Sequence, residues 1–474
     1  MNTLTNSQQI AFNEMMEKNN VFITGEAGTG KSFLINKFVE ECEAINRKVL
    51  LVAPTGIAAL NIGGSTIHSQ FNVPHHPLVG SEKMKINNSL KKADVVVIDE
   101  ISMCRIDLFE FVIKMIFEAE AQSGIRKQII TVGDFFQLSP ITTRENKGIL
   151  KDHYPNFVNG YAFESDIWTT LNFQTVYLKE IMRQDDSEFI NKLNSARIGN
   201  KECIPYFNNL VGKPDNEGIF LFGTNNDVNK VNQKKLDELP GKSKIYKAEI
   251  EGDITEANVL AVKVLELKVG ARIMMLVNDI QGFKYKNGSL GVVKKLEKNQ
   301  ILVTIDGDDD VISIDVHEFN NSIYEYVEKE NEYGELEGKM ETNIIGTFTQ
   351  FPLKLAYAIT VHKSQGQTFD KINLSPDFFN PGQMYVALSR VKSVDGLTLI
   401  KSISPSNMKH DPRVSDFYNL EVEMSKREKE VVSSLGLRLL NLDEKDILSN
   451  PQIVIEQIKK AKRKLNFEKD AIVE

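Results

Sequence analysis

The sequence predicts an α/β fold of two parallel-sheet units, the second interrupted by an all-β insert, and three observations carry this prediction. A glycine-rich octapeptide, GEAGTGKS from Gly25 to Ser32, stands between an apolar run and a helical pattern. A second apolar run, DVVVIDE from Asp94 to Glu100, ends in two adjacent carboxylates. Further strand-like runs at Gly218–Thr224, Leu355–Thr360 and Leu397–Ile400 bracket a stretch that alternates in the β manner.

In chain order, Val21–Thr24 reads as a buried strand and Lys31 to about Arg47 as a helix. Between them, G-x-x-x-x-G-K-[ST] spacing lets a turn aim successive backbone N–H groups at phosphate oxygens, with a helix N-terminus behind. Gly25, Glu26, Ala27, Gly28, Thr29 and Gly30 would line a nucleoside triphosphate, Lys31 would reach its β and γ phosphates, and Ser32 would ligate Mg²⁺. A chance glycine-rich turn is the alternative, and the strand before and helix after argue against it. Lys48–Pro54, Asp94–Glu100 and Gln128–Asp134 read as further strands, with a helix from Asp107 into Ala121. This is the pattern of a parallel sheet with ligand loops at the strand C-termini. In a P-loop enzyme Asp99 would hold Mg²⁺ through water, and Glu100 would orient and deprotonate the attacking water. The two acids could instead cap the next helix, since Ser102 follows.

At 474 residues the chain has room for roughly two to four domains. No stretch approaches the ~20 apolar residues of a membrane span, and MNTLTNSQQI lacks a charged-then-apolar leader. An intracellular, cytoplasmic protein without a membrane partner is expected, in a bacterial or phage-like context. Cys42, Cys104 and Cys203 are widely spaced, so neither a disulfide framework nor a zinc site is indicated. His75 and His76 read as loop residues. The net charge of −8 is local in origin: residues 301–350 hold thirteen acids against two lysines. The remainder is slightly basic, so the balance does not exclude a nucleic-acid partner. Between turn signals at Asn287-Gly288 and Gly307–Asp310, this acidic segment reads as a small all-β insert. Beyond 405 the chain reads as helical and charged, with Pro451–Leu465 a capping or accessory helix.

Eight motifs in order make the reading specific: GEAGTGKS, APTGIAALN (Ala53–Asn61), TIHSQF (Thr66–Phe71), IDEISM (Ile98–Met103), GDFFQLSP (Gly133–Pro140), LKEIMRQDD (Leu178–Asp186), ITVHKSQGQTFD (Ile359–Asp370) and YVALSRVKS (Tyr385–Ser393). Together they resemble the superfamily 1 helicases and, within them, the Pif family with its RecD-like relatives, over roughly residues 4–400. The helix RIDLFEFVIKMIFEAE matches only loosely the family's signature stretch between motifs II and III. The resemblance implies two RecA-like P-loop NTPase lobes, at 1–170 and at 171–286 with 352–404. It also implies a wedge-like insertion at about 72–91 and a small β-barrel of Src-homology type at 287–351, followed by an extension at 405–474. ATP and Mg²⁺ are the implied cofactors. The implied partners are single-stranded DNA and duplex or forked DNA, with replication or repair proteins, and the motor is a monomer of 5′-to-3′ polarity.

The resemblance also suggests roles for single residues. Gln8 occupies the place of a glutamine that reads adenine, though an ordinary polar residue near a helix start fits equally well. Gln137 would sense the γ-phosphate or a bound water, or serve as a structural amide. Arg183 and Arg390 would place positive charge on the transferring phosphoryl group when the lobes close. Gly366 would allow close backbone approach to phosphates or to the strand. Pro54, Thr55 and Gly56 in one lobe, and Thr360, His362 and Lys363 in the other, would meet DNA phosphates, with His68 and Phe71 adding stacking or backbone contacts. An ATP-dependent DNA helicase is the expected function. The alternatives are an ATP-switched nucleic-acid sensor and a RecD-like motor subunit of a nuclease complex.

Overall fold

The computed structural model describes residues 3–419, except 75, 81, 256–258, 260, 280–283, 286 and 331–335. The chain divides into two units, Met1–His410 and Asp411–Glu474. Of the helical extension expected at 405–474, residues 420–474, Pro451–Leu465 included, lie outside the described residues, as does His75. No helix among the described residues is long and apolar enough to cross a membrane.

The first sheet is built from β1 (Val21–Gly25), β2 (Val49–Ala53), β3 (Ser65–Thr66), β4 (Val95–Ile98), β5 (Gln128–Val132) and β6 (Gln174–Leu178). All pairings are parallel, in the order β3-β2-β4-β5-β1-β6. β1, β4 and β5 are buried along their whole length, which is why they read as unbroken apolar runs rather than alternating ones. β5 lies between the strand that feeds the glycine-rich loop and the strand that carries the two carboxylates. Both loops therefore open at the same sheet edge. The sheet runs past the expected boundary at 170, because β6 pairs with β1 from Val21↔Gln174 to Gly25↔Leu178. β6 is a half-exposed edge strand, and only its long-range pairing reveals its membership.

A second parallel sheet begins with β7 (Ile219–Phe222), after which the chain leaves it for a long β excursion. β8 (Lys244–Lys247), β9 (Glu249–Gly252), β10 (Val264–Leu267), β11 (Arg272–Met275), β12 (Leu290–Leu296), β13 (Gln300–Ile305) and β14 (Val311–Asp315) come first. A ribbon of β15 (His317–Glu330) and β16 (Leu336–Gln350) follows, and β17 (Leu353–Leu355) ends the excursion. β18 (Ala358–Thr360), β19 (Ile372–Leu374) and β20 (Leu397–Leu399) then complete the second sheet in the order β18-β7-β19-β20.

The excursion is larger than the expected insert at 287–351. Its antiparallel sheet has the order β14-β13-β12-β11-β17, so β11 and β17 join from outside those limits. One core explains this: Ile273, Met275 and Leu353 pack with Val293, Ile301, Val303, Ile312 and Ile314, and with Tyr246, Leu265 and Leu267 from β8 and β10. Turn signals mark loops, whereas burial of apolar area decides which strands share a core. The single strand expected at Leu355–Thr360 is accordingly two strands in two different sheets, and the chain passes from insert to lobe between them. The acidic segment is also two objects, the strands of the insert sheet and the β15–β16 ribbon. The ribbon packs on the first lobe's helices Ile67–Phe71 and Asn88–Lys92, where the Ser69 hydroxyl donates to Asn321 Oδ1 at 3.0 Å. The neighbouring segment about 72–87 is tied down by Leu78, whose N–H donates to Asp107 and whose carbonyl accepts from the Tyr154 hydroxyl.

Candidate active site at the junction of the two lobes

Local sequence shapes the phosphate loop. Gly28 and Gly30 take φ +86° and +77°, a region that a side chain disfavours. Space excludes one as well: an added Cβ would lie 2.6 Å from Arg183 Cβ at Gly28 and 2.5 Å from Gln8 Nε2 at Gly30. Helix Lys31–Ala44 starts with no side-chain cap, so its first N–H groups and its positive dipole end face the loop. Lys31 Nζ donates to the Gly25 and Glu26 carbonyls at 2.8 and 3.0 Å. Burial lowers its pKa, while Asp134, Glu100 and Asp99 oppose that shift. Gln8 turns inward: Oε1 accepts from Thr5 N–H and Nε2 donates to Thr29 O, both at 3.0 Å. Each end of its amide holds one bond to the chain itself, so Gln8 braces the loop from behind.

Asp99 and Glu100 follow β4 at the same edge. Asp99 is buried, and its Oδ1 accepts the Glu100 N–H at 2.8 Å. Glu100 has φ +48°, a strained conformation for a non-glycine residue of the kind that clusters at working sites. Burial first, and then the charge of Glu100, raise the Asp99 carboxyl above the ordinary range. Burial also raises Glu100, with Lys31 and Arg390 pulling it back. Asp99, buried, and Glu100, half-buried, are adjacent carboxylates that are costly to ionise, and their oxygens are donors of the kind a hard divalent cation takes.

The second lobe closes against this edge. Tyr385 is buried, and its hydroxyl accepts the Ala27 N–H at 2.8 Å. Arg390 is buried as well and donates to Val386 O, Ser364 O and Gln367 O and to the Ser389 hydroxyl. Burial and the neighbouring Arg183 push its pKa down to about 9. Arg183 donates to Ser389 O at 3.0 Å. Two guanidinium groups held side by side next to a phosphate loop form an electrostatic seat for an anion. Asp134 is fully buried and binds Arg197 in bidentate fashion at 2.8 and 3.0 Å, while the Arg197 guanidinium lies 4.3 Å from the Phe136 ring centroid. Phe135, packed on Phe22 and Trp168, anchors the loop carrying Gln137, which is itself buried. The Gln137 carbonyl is so close to Gly382 that a Cβ there would stand 2.1 Å away.

The residues expected to meet DNA fall into two groups. Thr55, His362 and Lys363 line one cleft of about 160 Å³ with Ala58, Asn61, Glu100 and Gln365. Pro54 and Gly56 flank Thr55, whose hydroxyl accepts the Ala58 N–H at the start of helix Gly56–Asn61. Thr360 is buried and accepts from Lys363 N–H. Gly366, at φ +75°, approaches Asn61 on this side. His68 is half-buried. Phe71 departs from expectation: it is 3% exposed, so its ring belongs to the core and cannot stack on a base. An aromatic at the end of a five-residue helix reads the same in sequence whether it points in or out.

Sequence reasoning also missed four contributors: Tyr385 as a contact to the phosphate loop, the Asp134–Arg197 pair, Gln365 and Lys354. Lys354 had a readable signal, a lone cation within the apolar run FPLKLAYAIT. It is 7% exposed, and among the described residues it has no hydrogen-bond or ion-pair partner. Burial first, and then Lys363, push its pKa down to about 7. Because folding lowers this pKa from 10.5, the unfolded chain binds more protons between about pH 7 and 10.5, and stability rises with pH across that window. Comparing chemical denaturation of wild type and Lys354→Met at pH 7 and 9 should show the wild type gaining about 2 kcal/mol relative to the variant. Parallel pH dependence in the two proteins would show that Lys354 titrates normally.

Comparisons with known proteins agree with this geometry. Residues 3–204 match the model of the PIF1-like helicase family. The "ATP-dependent DNA helicase Pif1" of Campylobacter jejuni is 31% identical, over 85% of this chain and 95% of that protein. The crystal structure of a Bacteroides sp. Pif1 in complex with ADP-AlF4 superposes with a TM-score of 0.75 at 33% identity, covering 89% of this chain and 97% of that one. Bacteroides Pif1 bound to single-stranded DNA superposes with a TM-score of 0.64 at 34% identity, covering 88% and 97%. With a phosphate loop, paired carboxylates and two arginines gathered where two RecA-like lobes meet, this chain belongs to the PIF1-like helicase family and has the activity of an ATP-driven helicase.

Proposed function

We propose that this helicase translocates 5′-to-3′ along single-stranded DNA and unwinds duplex ahead of it, hydrolysing ATP with Mg²⁺ at the junction of its lobes. The observation that carries the proposal is the shared wall of the cleft, where Thr55, His362 and Lys363 stand beside Glu100. A strand held by groups from both lobes would sense the same interlobe movement that completes the nucleotide site. The single-stranded DNA bound by the Bacteroides relative supports this choice of track. Thr55, His362 and Lys363 suit phosphate oxygens, so binding would rest on the backbone and tolerate sequence.

In this reading the phosphate-loop amides and Lys31 bind the triphosphate. Ser32 and Asp99 would hold Mg²⁺, which would supply positive charge to the triphosphate. Glu100 accepts a proton from the attacking water, and Gln137 positions that water. Arg183 and Arg390 stabilise the charge that develops on the transferring group. The segment near 72–91 acts as the wedge, the β excursion acts as a clamp over the strand, and the motor works as a monomer. A strand-displacement assay on duplexes with a 5′ or a 3′ single-stranded tail tests the proposal. Unwinding of the 5′-tailed substrate alone is expected, whereas DNA-stimulated ATPase without unwinding of either would replace the motor with a switch.

The two arginines should behave differently. Arg183→Ala removes one hydrogen bond to Ser389 O and should fold normally, yet lose about 10³-fold in DNA-stimulated hydrolysis. Arg390→Ala should lose as much and also melt earlier, because three carbonyls lose a hydrogen bond, although Val386 O keeps the Ser389 hydroxyl and Ser364 O keeps the Gln367 N–H, a cost of about 1–3 kcal/mol in all. ATPase rates with and without single-stranded DNA, beside thermal melts, check both. Strong residual stimulation in both variants would remove the arginines from the mechanism.

A further inference from the structure

The turn after β18 carries two kinds of residue. His362 and Lys363 face the cleft, and two residues on, Gln365 reaches into the first lobe, where its Nε2 donates to Glu100 Oε2 at 2.9 Å. One short turn therefore touches both the proposed track and the proposed base. The contact has a cost, because the Gln365 carbonyl oxygen is buried with no hydrogen-bond partner, and such a group is destabilising unless an alternative position satisfies it. Gly366, at φ +75° and exposed, follows immediately, so the backbone can pivot there without steric penalty.

A carboxylate oxygen that accepts an amide proton has one of its lone pairs denied to water. We propose that Gln365 is a brake on Glu100: it holds the carboxylate away from the attacking water while the track is empty, and lets go when a strand draws on His362 and Lys363. Gln365 is a positioning residue, acting through Glu100, and the proposal rests on the roles given above to Glu100 and the track-side residues. Coupling of this kind is reciprocal. If strand binding must break the Gln365–Glu100 bond, then removing the bond beforehand makes the strand bind more tightly.

The test uses the full chain and a poly-dT oligonucleotide as the probe. Gln365→Ala is expected to raise ATP hydrolysis without DNA by about tenfold, the scale of one charge-assisted hydrogen bond, while the DNA-saturated rate stays within about twofold. Its affinity for the oligonucleotide without nucleotide, measured by fluorescence anisotropy, should tighten by a similar factor, a change that loss of a structural contact would not produce. If the alanine variant proves unstable, Gln365→Met, nearly isosteric, uncharged and unable to donate to Glu100, carries the same expectation. An unchanged DNA-free rate, an unchanged or weakened affinity, or a proportional fall of both rates would each overturn the brake. Failure of the underlying reading looks different: Glu100→Gln would then retain full turnover, or Lys363→Ala would leave oligonucleotide binding unaltered.

Discussion

Lys31→Ala is expected to lower ATP hydrolysis by at least about 10²–10³-fold, the loss typical when one preorganised charge donor is removed from a transferring group. The structure adds that the loop itself should survive. Lys31 contributes two hydrogen bonds to the Gly25 and Glu26 carbonyls, but the loop's path is set by Gly28 and Gly30 and braced by Gln8 and Tyr385. Melting temperature and oligonucleotide binding should therefore stay near wild type, while affinity for a fluorescent ATP analogue falls. Normal turnover in this variant would end the assignment of Gly25–Ser32 as the phosphate site.

Glu100→Gln should fail in a different way. Shape and the bond network at the end of β4 are kept, and Asp99 remains to hold the cation, so nucleotide still binds while turnover falls by about 10²–10⁴-fold with the loss of a general base. The substitution also removes the second cause of the raised Asp99 carboxyl, the neighbouring charge, so Asp99 should ionise more readily in the variant. Equilibrium binding of the fluorescent analogue and single-turnover hydrolysis separate the two steps. Loss of binding with the fold intact would make Glu100 a ligand-site residue rather than a base.

Much of the first lobe was legible because its signals are local. A phosphate loop needs particular glycines, a lysine and a hydroxyl in eight consecutive residues, and a buried parallel strand needs an unbroken apolar run, so GEAGTGKS and DVVVIDE announce themselves. The family resemblance singled out Arg183 and Arg390, which the structure holds side by side at the junction of the lobes. Where expectations failed, the deciding interaction was distant in sequence. Phe71 is buried because of what surrounds it, and its own helix shows no sign of this. Leu355 and Ala358 read as one strand, yet they pair with β11 and β7 in separate sheets.

By itself, then, the sequence determined the class of chemistry: a nucleoside triphosphate site, two carboxylates at one strand end, two α/β units and an acidic β-rich excursion. Those properties follow from backbone geometry and side-chain chemistry within a few residues of one another. Only the tertiary structure decided that Tyr385 meets the phosphate loop, that Arg197 satisfies Asp134, that Gln365 reaches Glu100 and that Lys354 is buried without a partner. The three contacts join residues dozens to hundreds of positions apart. Hydrogen bonds and burial between distant segments are set by how whole sheets pack, and that packing depends on the summed apolar area of many elements rather than on any one motif.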